Sequence, residues 1–109
     1  MNINEYQKQA LRTLNPQLTQ KDILINGVMG LCGESGEAID IVKKHLAQGH
    51  DLDKEHLIQE LGDIAWYLAE TAYALDVSLE TVLENNIKKL GERYPEGFDE
   101  DKSKNRNQE

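Results

Sequence analysis

The sequence predicts an all-α fold, a four-helix bundle-like domain that works as an oligomer. Two observations predict it. Apolar residues recur at spacings of three and four through three long segments, the period of a helix with one buried face. Residues that break helices fall in the short connections between those segments, at Asn15-Pro16, Gly49 to Asp53, just before Ser78, and Pro95. A chain of 109 residues fits one small domain, here residues 1–98, followed by an acidic and polar tail over 99–109 that is expected to be disordered.

The first helix is expected from about Asn4 to Leu14, with Tyr6, Ala10 and Leu14 on one side. Pro16 disfavours helical geometry at Asn15 and ends it. The second is expected from Asp22, a suitable N-cap, to Gln48. Its first half carries Gly27, Gly30, Gly33 and Gly36 at every third position. Each glycine costs a helix about 1 kcal/mol against alanine, so four of them suggest close approach of another helix. The run Ile23 to Cys32 is apolar on more than one side, which suggests burial against another subunit, with Cys32 as a small buried residue. His45 in the last turn suits the helix dipole.

Gly49 is the expected C-cap and Asp53 the N-cap of the third helix. On that helix Ile58, Leu61, Ala65, Leu68, Ala72 and Leu75 form the expected core stripe. Ser78 can cap the fourth helix, which runs to Arg93 with Leu79, Val82, Leu83, Ile87 and Leu90 toward the core. His50 and His56 have no zinc spacing with Cys32 or each other and are expected to be structural or exposed.

The chemistry lies in two acidic pairs, Glu34 with Glu37 and Glu60 with Asp63, each three residues apart and so on one side of its helix. With 12 glutamates in the chain, about one such pair arises by chance. Two pairs that border apolar positions are harder to explain as solvated faces. Ile41 shares the direction of Glu34, and Ile64 and Tyr67 flank the second pair. Carboxylates held against a core carry a desolvation cost of several kcal/mol unless a cation offsets it. Asn86, Lys89 and Arg93 share a stripe of the fourth helix whose amide, amine and guanidinium suit phosphate oxygens.

The order Glu-x-x-Glu, a gap, then Glu-x-x-Asp-Ile-Ala-Trp-Tyr-Leu resembles the MazG-like all-α nucleoside triphosphate pyrophosphohydrolases. So do Asn4-Glu5-Tyr6-Gln7, Lys43-Lys44, Asn86-Ile87-Lys88-Lys89-Leu90 and Arg93-Tyr94-Pro95-Glu96-Gly97-Phe98, which extend the resemblance from Asn4 to Phe98. The resemblance implies the all-α NTP pyrophosphatase fold and cleavage of a nucleoside triphosphate between its α and β phosphates. It also implies Mg2+, with Mn2+ as a substitute, on Glu34, Glu37, Glu60 and Asp63, and Glu37 is the choice for general base. Lys44, Trp66, Asn86, Lys89 and Arg93 are the substrate-binding candidates, Trp66 by stacking on base or ribose. The related phosphoribosyl-ATP pyrophosphohydrolases share the plan. A non-catalytic helical module that binds metal or nucleotide is the competing class.

A net charge of −8 argues against nucleic acid or an anionic membrane as partner and makes divalent cations the natural link to a polyanionic nucleotide. A single cysteine forms no intrachain disulfide, and no apolar run approaches the ~20 residues of a membrane span. The expected address is cytoplasmic, and the expected assembly a dimer or tetramer.

Overall fold

A computed structural model describes residues 1–105, and every element among them is helical apart from an isolated bridge between Pro95 and Gly97. The helices are α1 (Ile3–Ala10), α2 (Gln20–Gln48), α3 (Lys54–Ala74), α4 (Leu79–Arg93) and α5 (Glu100–Lys104), with a 3-10 turn at Leu11–Thr13. The chain divides into two compact units, Met1–Leu79 and Glu80–Glu109. No helix among the described residues is long and apolar enough to cross a membrane.

In the first unit, helix starts and stops follow local chemistry. Asn2 and Glu5 form a reciprocal capping box that begins α1. The start of α2 differs from the sequence expectation: Thr19 is the N-cap, and Asp22 is the fourth residue of the capping box, its carboxylate accepting from the Thr19 N–H. At the other end Gly49 adopts the left-handed conformation (φ 74°), and the His50 N–H reaches the Lys44 carbonyl at 3.1 Å. Asp53 then caps α3.

The two long helices are antiparallel, because partners on α3 run backward as α2 runs forward. Gly27 meets Thr71, Gly30 meets Tyr67, and the Glu34–Glu37 pair meets Glu60. The glycines have two different roles. A Cβ on Gly27 or Gly30 would collide with Thr71 or with the Tyr67 ring, whereas Gly33 and Gly36 have nothing within 4 Å of that position. Gly30→Ala is therefore expected to lower stability by about 1–3 kcal/mol through overpacking. Gly33→Ala should hold or gain up to about 1 kcal/mol from helix propensity. Urea unfolding of both variants checks this, and equal effects would contradict it.

Polar side chains fasten the N-terminal segment to α3. Buried Gln7 donates to the Ala69 carbonyl at 3.0 Å and accepts from the Leu79 N–H at 2.9 Å. The Trp66 indole N–H donates to the Ala10 carbonyl and Thr13 Oγ1 at 3.0 and 2.9 Å. Gln20 donates to the Ala74 carbonyl at 2.8 Å. The Ala10 and Ala74 carbonyls close α1 and α3, where the last carbonyls lose their intrahelical partners.

The expected core stripe of α3 is largely uncovered within the chain. Ile58, Leu61 and Leu75 are 55%, 56% and 57% exposed, and the buried positions of α3 are Glu60, Ala69, Glu70, Ala72 and Ala74. The residues of α3 that meet α2 are Glu60, Tyr67, Glu70 and Thr71, while Ile58, Leu61 and Leu75 stay exposed. On α2, Ile25, Val28, Met29 and Ile39 are likewise exposed, as is Cys32, which was expected to be buried.

In the second unit, α4 presents Val82, Leu83 and Ile87 as exposed residues. Tyr94 to Phe98 forms a turn in which Gly97 (φ 95°) donates its N–H to the Tyr94 carbonyl at 3.1 Å and the Tyr94 and Phe98 rings lie 5.9 Å apart. Where the sequence suggests a disordered tail, Glu100–Lys104 is a short helix capped by the Asp99 side chain, with acids in its first turn and lysines in its last. The remainder of that expectation lies outside the described residues.

A candidate metal centre between two helices

Glu34 and Glu37 project from the middle of α2, and Glu60 meets them from the first half of α3. One carboxylate oxygen of each lies within 4.8 Å of the other two. Glu60 is only 5% exposed, Glu34 is half-buried and Glu37 is exposed. The Oε2 atoms of Glu34 and Glu60 are both buried without a hydrogen-bond partner. Leaving ionised oxygens in this state costs on the order of several kcal/mol, so the arrangement calls for a positive charge or a proton. An all-oxygen donor set with buried, unpaired lone pairs fits a hard divalent cation.

Asp63 falls outside the three-way convergence and is exposed, but its charge still helps raise Glu34. Glu34 is pushed up to about 7, first by a hydrogen bond with Glu60, which requires a shared proton, then by burial and by the charges of Glu60 and Asp63. The Tyr67 hydroxyl, behind the cluster, is raised by burial and by the charges of Glu34, Glu70 and Asp63. Half-buried Tyr6 is raised by burial and by Asp63.

Because the folded-state value of Glu34 lies above its ordinary 4.5, protonated Glu34 favours the metal-free fold. That contribution is complete below about pH 4.5 and is lost as pH rises through about 7. The melting temperature of metal-free protein should fall over that window more steeply than that of Glu34→Gln, while a cation that needs the ionised carboxylates should bind better as pH rises. Parallel slopes for the two proteins would contradict this.

A cavity of about 530 Å3 adjoins the cluster. Glu37 and Gly36 stand on its α2 wall with Asp40 and Lys44, and His50, Asp53 and His56 close it from the connection and α3. Lys44 is paired with Asp40 at 3.0 Å, and this amine holds the Asp40 carboxyl below its usual range.

The family model for the MazG nucleotide pyrophosphohydrolase domain matches residues 26–98. The chain belongs to the MazG family. This MazG domain is also 40% identical over 82 residues to the Gene 37 protein of Mycobacterium phage L5, a stretch covering 72% of each chain, and that name states no activity. No solved structure gives a significant match. The matched span holds all four expected metal-ligand residues and every expected substrate-binding residue, from Glu34 to Arg93.

Of the expected site residues in this MazG domain, the structure brings Glu34, Glu37 and Glu60 together and lines the neighbouring cavity with Lys44. Trp66 spends its N–H on the N-terminal segment and sets its ring edge-on to Tyr67 at 5.1 Å. Asn86, Lys89 and Arg93 lie on α4, in the second unit, where the Arg93 guanidinium stands 5.8 Å from the centre of the Tyr94 ring.

Two features escaped the sequence reading. Glu70 is fully buried and accepts from the Asn26 amide through both oxygens, at 2.6 and 2.9 Å. His56 bonds Glu60 at 3.1 Å. The four-residue spacing of His56 and Glu60 on one helix was a legible signal. The pairing of Asn26 with Glu70 had none, because it depends on the register between helices.

Proposed function

We propose that this chain is a Mg2+-dependent pyrophosphohydrolase that cleaves a nucleoside or deoxynucleoside triphosphate between the α and β phosphates, giving the monophosphate and pyrophosphate. The observation that carries this is the convergence of Glu34, Glu37 and Glu60 with two buried, unpartnered oxygens. The family assignment supports the reaction class.

Glu34, Glu37 and Glu60 would hold the cation, with Asp63 adding charge from the next turn of α3. A bound Mg2+ supplies neutralisation of the triphosphate and a lowered pKa for a water in its shell. Glu37 is proposed to take the proton from the attacking water, a role supported by its exposure on the cavity wall. Lys44 gives that wall a positive group, although Asp40 already engages it. Lys89 and Arg93 are proposed to hold phosphates and balance the charge on departing pyrophosphate, and Asn86 to bond phosphate or sugar. Trp66 would stack on base or ribose through a ring face, since its N–H is committed elsewhere.

We read the active form as a homo-oligomer, a dimer or tetramer. The uncovered apolar residues of α2 and α3 support this, because a single chain rarely leaves so much large apolar surface in water.

Incubating purified protein with Mg2+ and each common ribo- and deoxyribonucleoside triphosphate tests the activity. Pyrophosphate and monophosphate in equal amounts are expected from at least one of them. Orthophosphate as the primary product, or no turnover of any, would refute the reading.

A further inference from the structure

His56 stands one helical turn before Glu60 on α3, and its Nε2 lies 3.1 Å from Glu60 Oε1. Asp53, the N-cap of α3, lies on the other side of this histidine. One Asp53 oxygen accepts the His56 backbone N–H at 3.1 Å, and the other lies 3.8 Å from its Nδ1. Asp53, His56 and Glu60 thus form a file along one face of α3, anchored at the helix cap. The imidazole engages only one of the two Glu60 oxygens. The other, Oε2, is buried and has no partner.

We propose that His56 is a positioning residue for the metal centre: it holds Glu60 Oε1 so that Oε2 is presented to a divalent cation shared with Glu34 and Glu37. The inference rests on the metal-site reading above and adds to it a residue that binds neither cation nor substrate. A glutamate side chain loses rotamer entropy on being fixed. A partner that fixes it before the cation arrives removes part of that cost from binding, which is how hydrogen-bonded neighbours of metal ligands raise affinity. His56 is not itself placed as a ligand. Its Nε2 is occupied by Glu60, its Nδ1 faces Asp53, and a hard cation prefers oxygen. A neutral imidazole protonated on Nε2 is sufficient, so the role requires no change of protonation.

A purely structural i,i+4 pair would stabilise α3 without affecting cation affinity, and this separates the alternatives. Mn2+ binding to the full chain, read by loss of the free-ion paramagnetic resonance signal, is to be compared in wild type, His56→Ala and His56→Gln, alongside metal-free melting temperatures. His56→Ala is expected to weaken Mn2+ binding roughly 10-fold to 100-fold. His56→Gln, whose amide N–H can reach Glu60 from a similar place, should recover most of the loss. If His56→Ala does not fold, His56→Asn, whose shorter amide falls short of Glu60, takes its place with the same expected loss. Affinity unchanged in His56→Ala, or His56→Gln as weak as His56→Ala, overturns the inference while leaving the metal site standing. No saturable Mn2+ binding by the wild type overturns both.

Discussion

Glu37→Gln is expected to lower kcat about 10²–10⁴-fold, the range over which a general base contributes, with the fold unchanged. The expectation of an intact fold follows from exposure: Glu37 is exposed on the cavity wall, and the buried acids of the pair of helices are Glu60 and Glu70. The substitution keeps shape and removes charge, so it tests both roles assigned to this residue. A loss in kcat that persists at saturating Mg2+ identifies the proton acceptor, whereas a loss that added Mg2+ restores identifies a ligand alone. Steady-state kinetics over a range of Mg2+ with a circular dichroism control makes the distinction. Full activity in the variant would remove Glu37 from the mechanism. A binding-only module would have had no activity to lose.

The second large effect concerns the apolar face of α3. Leu61→Glu and Leu75→Glu, at positions 56% and 57% exposed in the single chain, should each shift the solution mass toward the 12.4 kDa of one chain. Fully burying a leucine contributes about 1.5–3 kcal/mol, so covering the exposed half of one contributes about 0.8–1.7 kcal/mol, and in a symmetric dimer each substitution occurs twice. Roughly 1.7–3.4 kcal/mol of lost interface energy weakens association about 20-fold to 300-fold before any cost of burying the new carboxylate. Sedimentation equilibrium measures it. A wild type that sediments as 12.4 kDa, or variants that stay assembled, would show that these leucines serve another purpose.

The sequence revealed periodicity and local chemistry well. Gly49 and Asp53 cap the helices that they were expected to cap, since a left-handed turn and an N-cap carboxylate are decided by neighbouring residues. Thr19 was passed over for Asp22 because both belong to one capping box, and only coordinates tell its first residue from its fourth. The stripe from Ile58 to Leu75, expected as core, is largely exposed, because a period cannot say whether an apolar face meets its own chain. Gly27 and Gly30 decide the matter by drawing α2 against Thr71 and Tyr67, which leaves Ile58, Leu61 and Leu75 exposed. The carboxylate cluster was legible because two acidic pairs on antiparallel helices face each other wherever the register allows. That Asp63 stands apart while Glu60 is buried depends on that register, which spacing alone does not give.

Isothermal titration of Mg2+ into wild-type protein and Glu60→Gln tests the metal site most directly. The account predicts saturable binding by the wild type and its loss in the variant. Metal-free melting of the variant should stay level or rise, because a buried charge with an unpaired oxygen has been removed. A wild type without saturable binding, or a variant that binds as well, would contradict it.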